Sequence, residues 1–164
     1  MKISPPYILL LASLTFFNFS FSPLTTSRAI DAKTIISATN QARASTGLSA
    51  LAESRELDTA ALEKAQDMQI QRYFAHQSPE GTSPWYWIEK NDYTFAIAGE
   101  NLAINYNDVQ ELMTAWLESP SHRENILNPV FQDLGVGVRQ FSIGGKHYTL
   151  IVQMFGAPPR MALR

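Results

Sequence analysis

The sequence contains no cysteine, and this absence removes several classes of structure and chemistry. A chain without cysteine forms no disulfides, builds no thiolate zinc site and has no cysteine nucleophile. Basic runs are also missing, since 13 Lys and Arg residues stand against 15 Asp and Glu residues, and such a balance argues against nucleic-acid binding. Stability must therefore come from packing, for which 164 residues with 45% hydrophobic content provide one core.

The N-terminal stretch lacks an apolar run long enough for a membrane-spanning helix. Tyr7 to Phe21 is apolar, but Asn18 and Ser20 interrupt it, and a spanning helix needs roughly 20 apolar residues. A basic start, this apolar middle and a small-x-small site ending at Ala29 together indicate a secretory signal peptide over residues 1–29. The alternative interpretation is an uncleaved membrane anchor.

Cleavage near Ala29 would leave one domain, residues 30–164, in an extracellular or periplasmic location. It would remove Lys2 and Arg28 and no acid, so 11 Lys and Arg would remain against 15 Asp and Glu, a net charge of −4. We therefore expect a mildly acidic exported domain with no nucleic-acid partner and no stable membrane span.

Apolar residues recur at helical spacing in four segments. The predicted helices run from Asp31 to about Thr46, from near Leu57 to about Phe74, over "PWYWIEKN" from Pro84, and from Asp108 to about Glu118. A further helix is predicted to begin after Pro120, capped by Ser119 or by Ser121, with Glu124 completing a capping box with Ser121.

Three segments favour strands. "YTFAIAGENLAIN" is predicted to be a strand that is broken or bulged near Gly99, and "DLGVGVRQF" and "KHYTLIVQMFG" are predicted to form a hairpin through "SIGG". In the last strand, Leu150 and Val152 share one face while Ile151 and Phe155 share the other, so both faces are apolar. This pattern predicts helices on both sides of the sheet. We expect an α+β fold, a three-layer α-β-α sandwich with a small, mainly antiparallel sheet.

Three polar residues stand out as candidates for a site. Glu100 lies in an otherwise apolar strand, where a carboxylate is costly to bury unless it is paired. His76 follows the last aromatic residue of the second helix, and His122 occupies a rigid corner behind Pro120. The third histidine, His147, is expected at the surface. Sequence spacing alone does not fix the distances between these groups, and each histidine alone is more often a packed or solvated residue than a functional one.

Four motifs in series resemble one family. "YFAHQSPEGTSPW", "AGENLAIN", "AWLESPSHRENILNP" and "LGVGV" are similar to segments of the exported bacterial branch of the CAP superfamily. That superfamily comprises the cysteine-rich secretory proteins, antigen 5 and the plant pathogenesis-related proteins, also called SCP-like domains. The resemblance covers roughly Ala32 to Gly156 and implies an α-β-α sandwich.

The resemblance also implies a cleft lined by two histidines and two acids, in which some family members bind zinc. Carried over to this chain, the cleft residues are His76, Glu100 and His122, with His76 and His122 as possible zinc ligands and Glu100 as a third. The second acid of the family is matched here by Ser119, so the neighbouring Glu118, about 100° away on the helix, is the candidate for the fourth residue of the ligand cleft. The chain lacks the cysteine-rich extension of the animal members, so activities tied to that extension are not expected.

Three functions follow as hypotheses. The first is a binding domain for a small amphipathic, peptide or cell-wall ligand, the second a metal-dependent hydrolase of peptide or cell-wall substrates, and the third a structural extracellular scaffold. No sequence motif marks an activated nucleophile or a phosphate loop, so no catalytic residue is established. Five aromatic residues are candidates for ligand contact, although most are expected to pack in the core: Tyr73, Trp85, Tyr86, Trp87 and Tyr106.

Overall fold

A computed structural model describes residues 30–159, so the predicted signal peptide lies outside the described residues. The helices are α1 (Ala32–Ser45), α2 (Arg55–Gln71), α3 (Pro84–Lys90), α4 (Val109–Glu118) and α5 (Pro120–Ile126). The strands are β1 (Ala52–Glu53), β2 (Ile97–Ile104), β3 (Asp133–Ile143) and β4 (Lys146–Ala157). Within the described residues, no helix has both the length and the apolar character needed to cross a membrane.

The four strands form one sheet in the order β1-β3-β4-β2. β3 and β4 form an antiparallel hairpin, and β2 pairs antiparallel with β4, whereas the two-residue β1 is parallel to β3. The sheet is therefore mainly antiparallel, as predicted. β2 is an edge strand, so chain segments on either face of the sheet can reach the residues along its free edge.

Both faces of the sheet are covered by helices, as the two apolar faces of β4 predicted. Leu150, Val152 and Met154 pack with α2 and α3 on one side. Ile151 and Phe155 pack with α1, α4 and α5 on the other. The result is the expected three-layer sandwich, in which the central strand β4 contributes to two separate cores.

Helix α2 packs directly on the backbone of β3 because β3 has glycine at two positions. A Cβ added to Gly135 would lie 2.2 Å from the backbone carbon of Leu57, and one added to Gly137 would lie 2.4 Å from that of Ala61. Neither contact is possible without moving the helix or the strand. The motif "LGVGV" is thus a packing requirement of the interface between α2 and the sheet.

Arg43 fixes the end of α5, a role that was not predicted. Its guanidinium is 1% exposed and donates to the backbone oxygens of Ile126 at 2.9 Å and Asn128 at 2.8 Å, while its Nε donates to the oxygen of Ser49. The carbonyls of Ile126 and Asn128 lie at the C-terminal end of α5, where helical acceptors are left unpaired. A buried cation at that end is also favoured by the helix dipole.

Two local predictions were wrong. β2 is continuous, since residues 97–104 pair in unbroken register with residues 157–150 of β4. Gly99 is needed there for close approach rather than for a bulge, because an added Cβ would lie 2.8 Å from the ring of Phe131. The capping box of α5 is also absent: Ser119 is the N-cap residue, and its side chain makes no capping bond.

The close contact of α2 and β3 leads to a stability prediction. Gly137→Ala should lower the free energy of unfolding by about 2–3 kcal/mol, because the added methyl group meets helix backbone and not a movable side chain. Urea unfolding of the two proteins measures the change. A loss below about 0.5 kcal/mol would contradict the packing described here.

Candidate functional site

Glu100 reaches the site from the edge strand β2, on the face that packs against α2. It pairs with Met154 of β4, whose side chain belongs to the core beneath α2. The Glu100 side chain is 2% exposed. Its oxygen Oε2 has no hydrogen-bond partner among the described residues. A buried polar atom without a partner is uncommon in proteins and is often found where a site has a function.

His76 covers Glu100 from the loop after α2. Its Nδ1 lies 2.6 Å from Oε1 of Glu100, while its side chain remains 60% exposed. The short contact joins a buried carboxyl group to an imidazole at the surface, and it fixes the orientation of the ring. The predicted pairing of Glu100 with a histidine is present in the structure.

Lys64 supports this pair from below, which the sequence analysis missed. It is 0% exposed on α2, where its Nζ donates to the backbone oxygen of His76 at 2.6 Å and to the hydroxyl of Tyr73 at 3.1 Å. The Tyr73 hydroxyl in turn donates to Asp67 at 2.7 Å. Lys64 therefore anchors the loop that carries His76 and supplies a positive charge near Glu100. One feature of the sequence could have indicated this role: Lys64 falls on the apolar side of α2, in line with Leu57, Ala61 and Met68.

His122 approaches from the opposite layer, at the start of α5. Its Nδ1 lies 2.8 Å from Oγ of Ser119, and its ring lies beside Trp116, with 6.4 Å between ring centroids. His122 is close enough to His76 for a charge on one imidazole to act on the other. The two histidines thus approach the edge of the sheet from different helical layers.

A buried polar network holds β2 to α5 at this point. Asn125 of α5 donates to the backbone oxygen of Glu100 at 3.1 Å and to the side chain of Asn101 at 2.8 Å. Asn101 donates to the backbone oxygen of His122 at 3.2 Å and to Gln153 at 3.1 Å. Because these amides bond to the backbone of both Glu100 and His122, the network sets the spacing of the site. The Asn residues of "GEN" and "REN" have this structural role.

The remaining predicted residues lie outside this cluster. Glu118 is exposed at the end of α4, and no hydrogen bond or ion pair joins it to the cluster in the described residues. Among the five aromatic candidates, Tyr86 is 48% exposed, whereas the other four are partly buried against the two cores. His147 is exposed on the β3–β4 hairpin, as predicted, with its Nδ1 2.8 Å from Oγ of Ser142.

The pKa values of the two histidines are shifted in opposite directions. The hydrogen bond to Glu100 raises the pKa of His76 above 6.5, against the opposing effects of burial and of the Lys64 charge. Burial, followed by the charge of His76, lowers the pKa of His122 below 6.5. Burial raises the pKa of Glu100, and His76 and Lys64 limit that rise. At any one pH, His76 therefore carries a larger share of imidazolium than His122.

The arrangement does not present three ligands to a common metal position. In residues 30–159, no group of three or more His, Asp or Glu side chains is arranged to hold a metal ion. Zinc binding stays a prediction from the family resemblance.

The two histidines should titrate in a fixed order. NMR titration of the imidazole carbons is expected to place the pKa of His76 above 6.5 and that of His122 below it. In Glu100→Gln the pKa of His76 should fall, because burial and Lys64 remain while the carboxylate is removed. An unchanged His76 pKa in Glu100→Gln would contradict the proposed pairing.

The sign of the linked stability follows from the raised pKa of His76. The folded state holds the His76 proton more tightly than the unfolded state, so the contribution of this contact is complete below pH 6.5. It is lost as the pH rises through the raised pKa of the folded protein.

Removal of the buried Lys64 ammonium should lower the free energy of unfolding more than removal of the exposed Lys90 ammonium. Lys64→Met is expected to lower the free energy of unfolding by about 3 kcal/mol, because it leaves the Glu100 carboxyl buried without its nearby cation. Lys90→Met is the matched control, since its bridge to Glu63 lies at the surface and should contribute less than about 1 kcal/mol. Equal losses in the two variants, measured by chemical unfolding, would contradict the role assigned to Lys64.

Comparisons with known proteins agree with this fold. The Bacillus subtilis (strain 168) protein YkwD is 39% identical over 105 residues, which cover 64% of this chain and 41% of YkwD. An extracellular protein of Bacillus anthracis containing an SCP domain superposes with a TM-score of 0.66 at 31% identity, over 77% of this chain and 40% of that one. An outer surface protein of Borrelia burgdorferi gives a TM-score of 0.67 at 26% identity, over 81% of this chain and 99% of that one.

The chain thus spans about two fifths of the length of the two Bacillus proteins and nearly the whole of the Borrelia protein. Residues 36–155 match the cysteine-rich secretory protein family, abbreviated CAP. This match includes helices α2 to α5, most of α1, strands β1, β2 and β3 and most of β4, as well as His76, Glu100 and His122. The chain belongs to the CAP family of cysteine-rich secretory proteins.

Proposed function

We propose that this protein acts outside the cytoplasm as a binding domain for peptide or cell-wall fragments, with the exposed imidazole of His76 as the ligand-contacting group. The signal-like sequence over residues 1–29 and the extracellular and outer-surface relatives support the location. The observation that carries the function is the 2.6 Å contact between a 2% exposed Glu100 and a 60% exposed His76.

The geometry favours a ligand with an anionic or hydrogen-bond-accepting group. Glu100 raises the pKa of His76, which increases the share of imidazolium at the surface, and an imidazolium binds carboxylates through a charge-assisted hydrogen bond. Peptides and cell-wall peptides carry such carboxylates. Five grooves on the described surface have volumes of 290–540 Å³, and none of them is lined by His76, Glu100 or His122. Because the His76 side chain is 60% exposed, the ligand would contact a ring at an open surface, which suits a polar fragment better than an amphipathic molecule.

Binding of a free carboxylate should depend on His76. Unblocked tripeptides and soluble peptidoglycan fragments are expected to bind the purified protein, and His76→Ala should weaken this binding about tenfold or more by losing one charge-assisted hydrogen bond. Isothermal titration calorimetry measures the change. C-terminally amidated tripeptides are the matched ligand control and should bind more weakly than the free acids.

The control variant for this experiment is His147→Ala, which removes another exposed histidine outside the cluster. It should bind as the unaltered protein does. Equal affinities of His76→Ala and His147→Ala would overturn the assignment of His76. If His76→Ala mainly lowers the melting temperature and the unaltered protein binds none of these fragments, the scaffold function is supported instead.

Hydrolysis is the second candidate, and one feature favours it. A buried carboxylate bonded to the Nδ1 of an imidazole is the arrangement that orients a general base, and Glu100 and His76 have this geometry. Mass spectrometry of the same fragments after incubation tests it. Product formation that is lost in His76→Ala and kept in His147→Ala would identify an enzyme, whereas unchanged fragments support binding alone.

A further inference from the structure

The outer edge of β3 is open along most of its length. β1 pairs only Ala52 and Glu53 with Asp133 and Leu134 of β3. β3 continues to Ile143, and in the described part of the chain no other strand lies on that side. An open strand edge presents backbone N–H and C=O groups that another extended chain can satisfy.

The direction of the backbone groups can be read from the bonds at the start of this edge. Ser54 N donates to the oxygen of Leu134 at 2.9 Å, and Val136 N donates to Oδ1 of Asp58 at 2.8 Å. Successive residues of a strand point their backbone groups to opposite edges. The backbone groups of Val138 and Gln140 therefore point to the same open edge as those of Val136. Within residues 30–159, no hydrogen bond from that side reaches them.

A groove of about 540 Å³ runs along this open edge. Its base is formed by residues 136–138 and Gln140 of β3. One wall is the start of α1, residues 30–32, and the other is the outer face of α2, including Thr59 and Leu62. A chain lying in the groove would continue the plane of the sheet between the two helical layers. Its length along the edge, about five residues, corresponds to about 16 Å of extended backbone.

The charge of the groove favours a basic occupant. Asp31 and Asp58 both line it, and Glu53 and Glu56 are close enough to act on Asp58. Lys33 and Arg55 offset part of this negative charge, through Asp31 and Glu56 respectively. A second copy of the chain suits the groove less well, because symmetric pairing of two β3 edges would bring the same acids face to face.

We propose that the open edge of β3 binds an extended basic peptide segment of a partner protein as an added strand of the sheet. Main-chain hydrogen bonds to Val138 and Gln140 would hold the segment, and its side chains would alternate between the two walls. Leu62, which is 43% exposed, supplies apolar contact on the α2 side. This site shares no residue with the pair His76–Glu100 and does not depend on the function proposed for it.

The test uses the peptide acetyl-Val-Lys-Val-Lys-Val-amide and amide NMR spectra of the purified protein. Shift changes are expected along residues 136–142, and hydrogen exchange at Val138 and Gln140 should slow about tenfold when the peptide is in excess. The same peptide with every amide N-methylated keeps the side chains and loses all main-chain donors, so it should not bind. The peptide with glutamates in place of its lysines should bind at least about fivefold more weakly.

Two variants of α2 complete the design. Leu62→Arg, in the groove wall, should weaken binding of the lysine peptide about fivefold or more by repulsion. Ile70→Arg is the matched control, since Ile70 is 67% exposed on the same helix outside the groove. Equal binding by the N-methylated peptide, equal effects of the two variants, or no shift changes at the β3 edge would each overturn the proposal. Changes at this edge that depend on protein concentration alone would identify a second copy as the occupant and overturn it as well.

Discussion

The carboxyl group of Glu100 is buried beneath a helix, and burial of an acid is tolerated only with compensating charge and hydrogen bonds. Lys64 and His76 supply that compensation from two sides, one from the interior and one from the surface. Much of the surrounding structure follows from this requirement. The loop after α2 is tied down by Lys64, and the edge strand that carries Glu100 is tied to α5 by Asn101 and Asn125.

The three layers explain why residues so distant in sequence share one site. His76 belongs to the layer of α2, His122 to the layer of α5, and Glu100 to the sheet between them. Only an edge strand allows groups from both layers to meet, because a central strand such as β4 is enclosed on both faces. The location of the site at the rim is thus a property of the sheet order and not of any single motif.

The fold could be predicted from sequence to a large extent, since it depends on patterns that are local. The apolar faces of the last strand predicted both helical layers, and the helices predicted from Asp31 and Asp108 begin there, with these residues as N-caps. The errors have physical causes. Gly99 was interpreted as a bulge because a glycine in a strand also serves close packing, and here Phe131 occupies the space. β1 has only two residues, too few for any periodicity.

The candidate site was predicted less completely. Glu100 could be identified because a carboxylate in an apolar strand conflicts with its surroundings, and the structure pairs it with His76. Lys64 was missed because a lysine on a helix normally lies in solvent, and its burial depends on contacts nine and twelve residues away. Ser119 was considered as a cap and as the match to the family's second acid, but its contact with His122 was not predicted. Such pairings depend on side-chain directions at loop corners, which residue spacing does not determine.

Arg43 has a mechanical consequence for the whole domain. It belongs to α1, yet it holds the carbonyls at the end of α5, and it is enclosed so completely that water cannot replace those bonds. The first and last helices of this layer are therefore coupled as one rigid unit. Any widening of the rim at His122 would have to shift α1 as well, so the side of the rim formed by α5 cannot open alone.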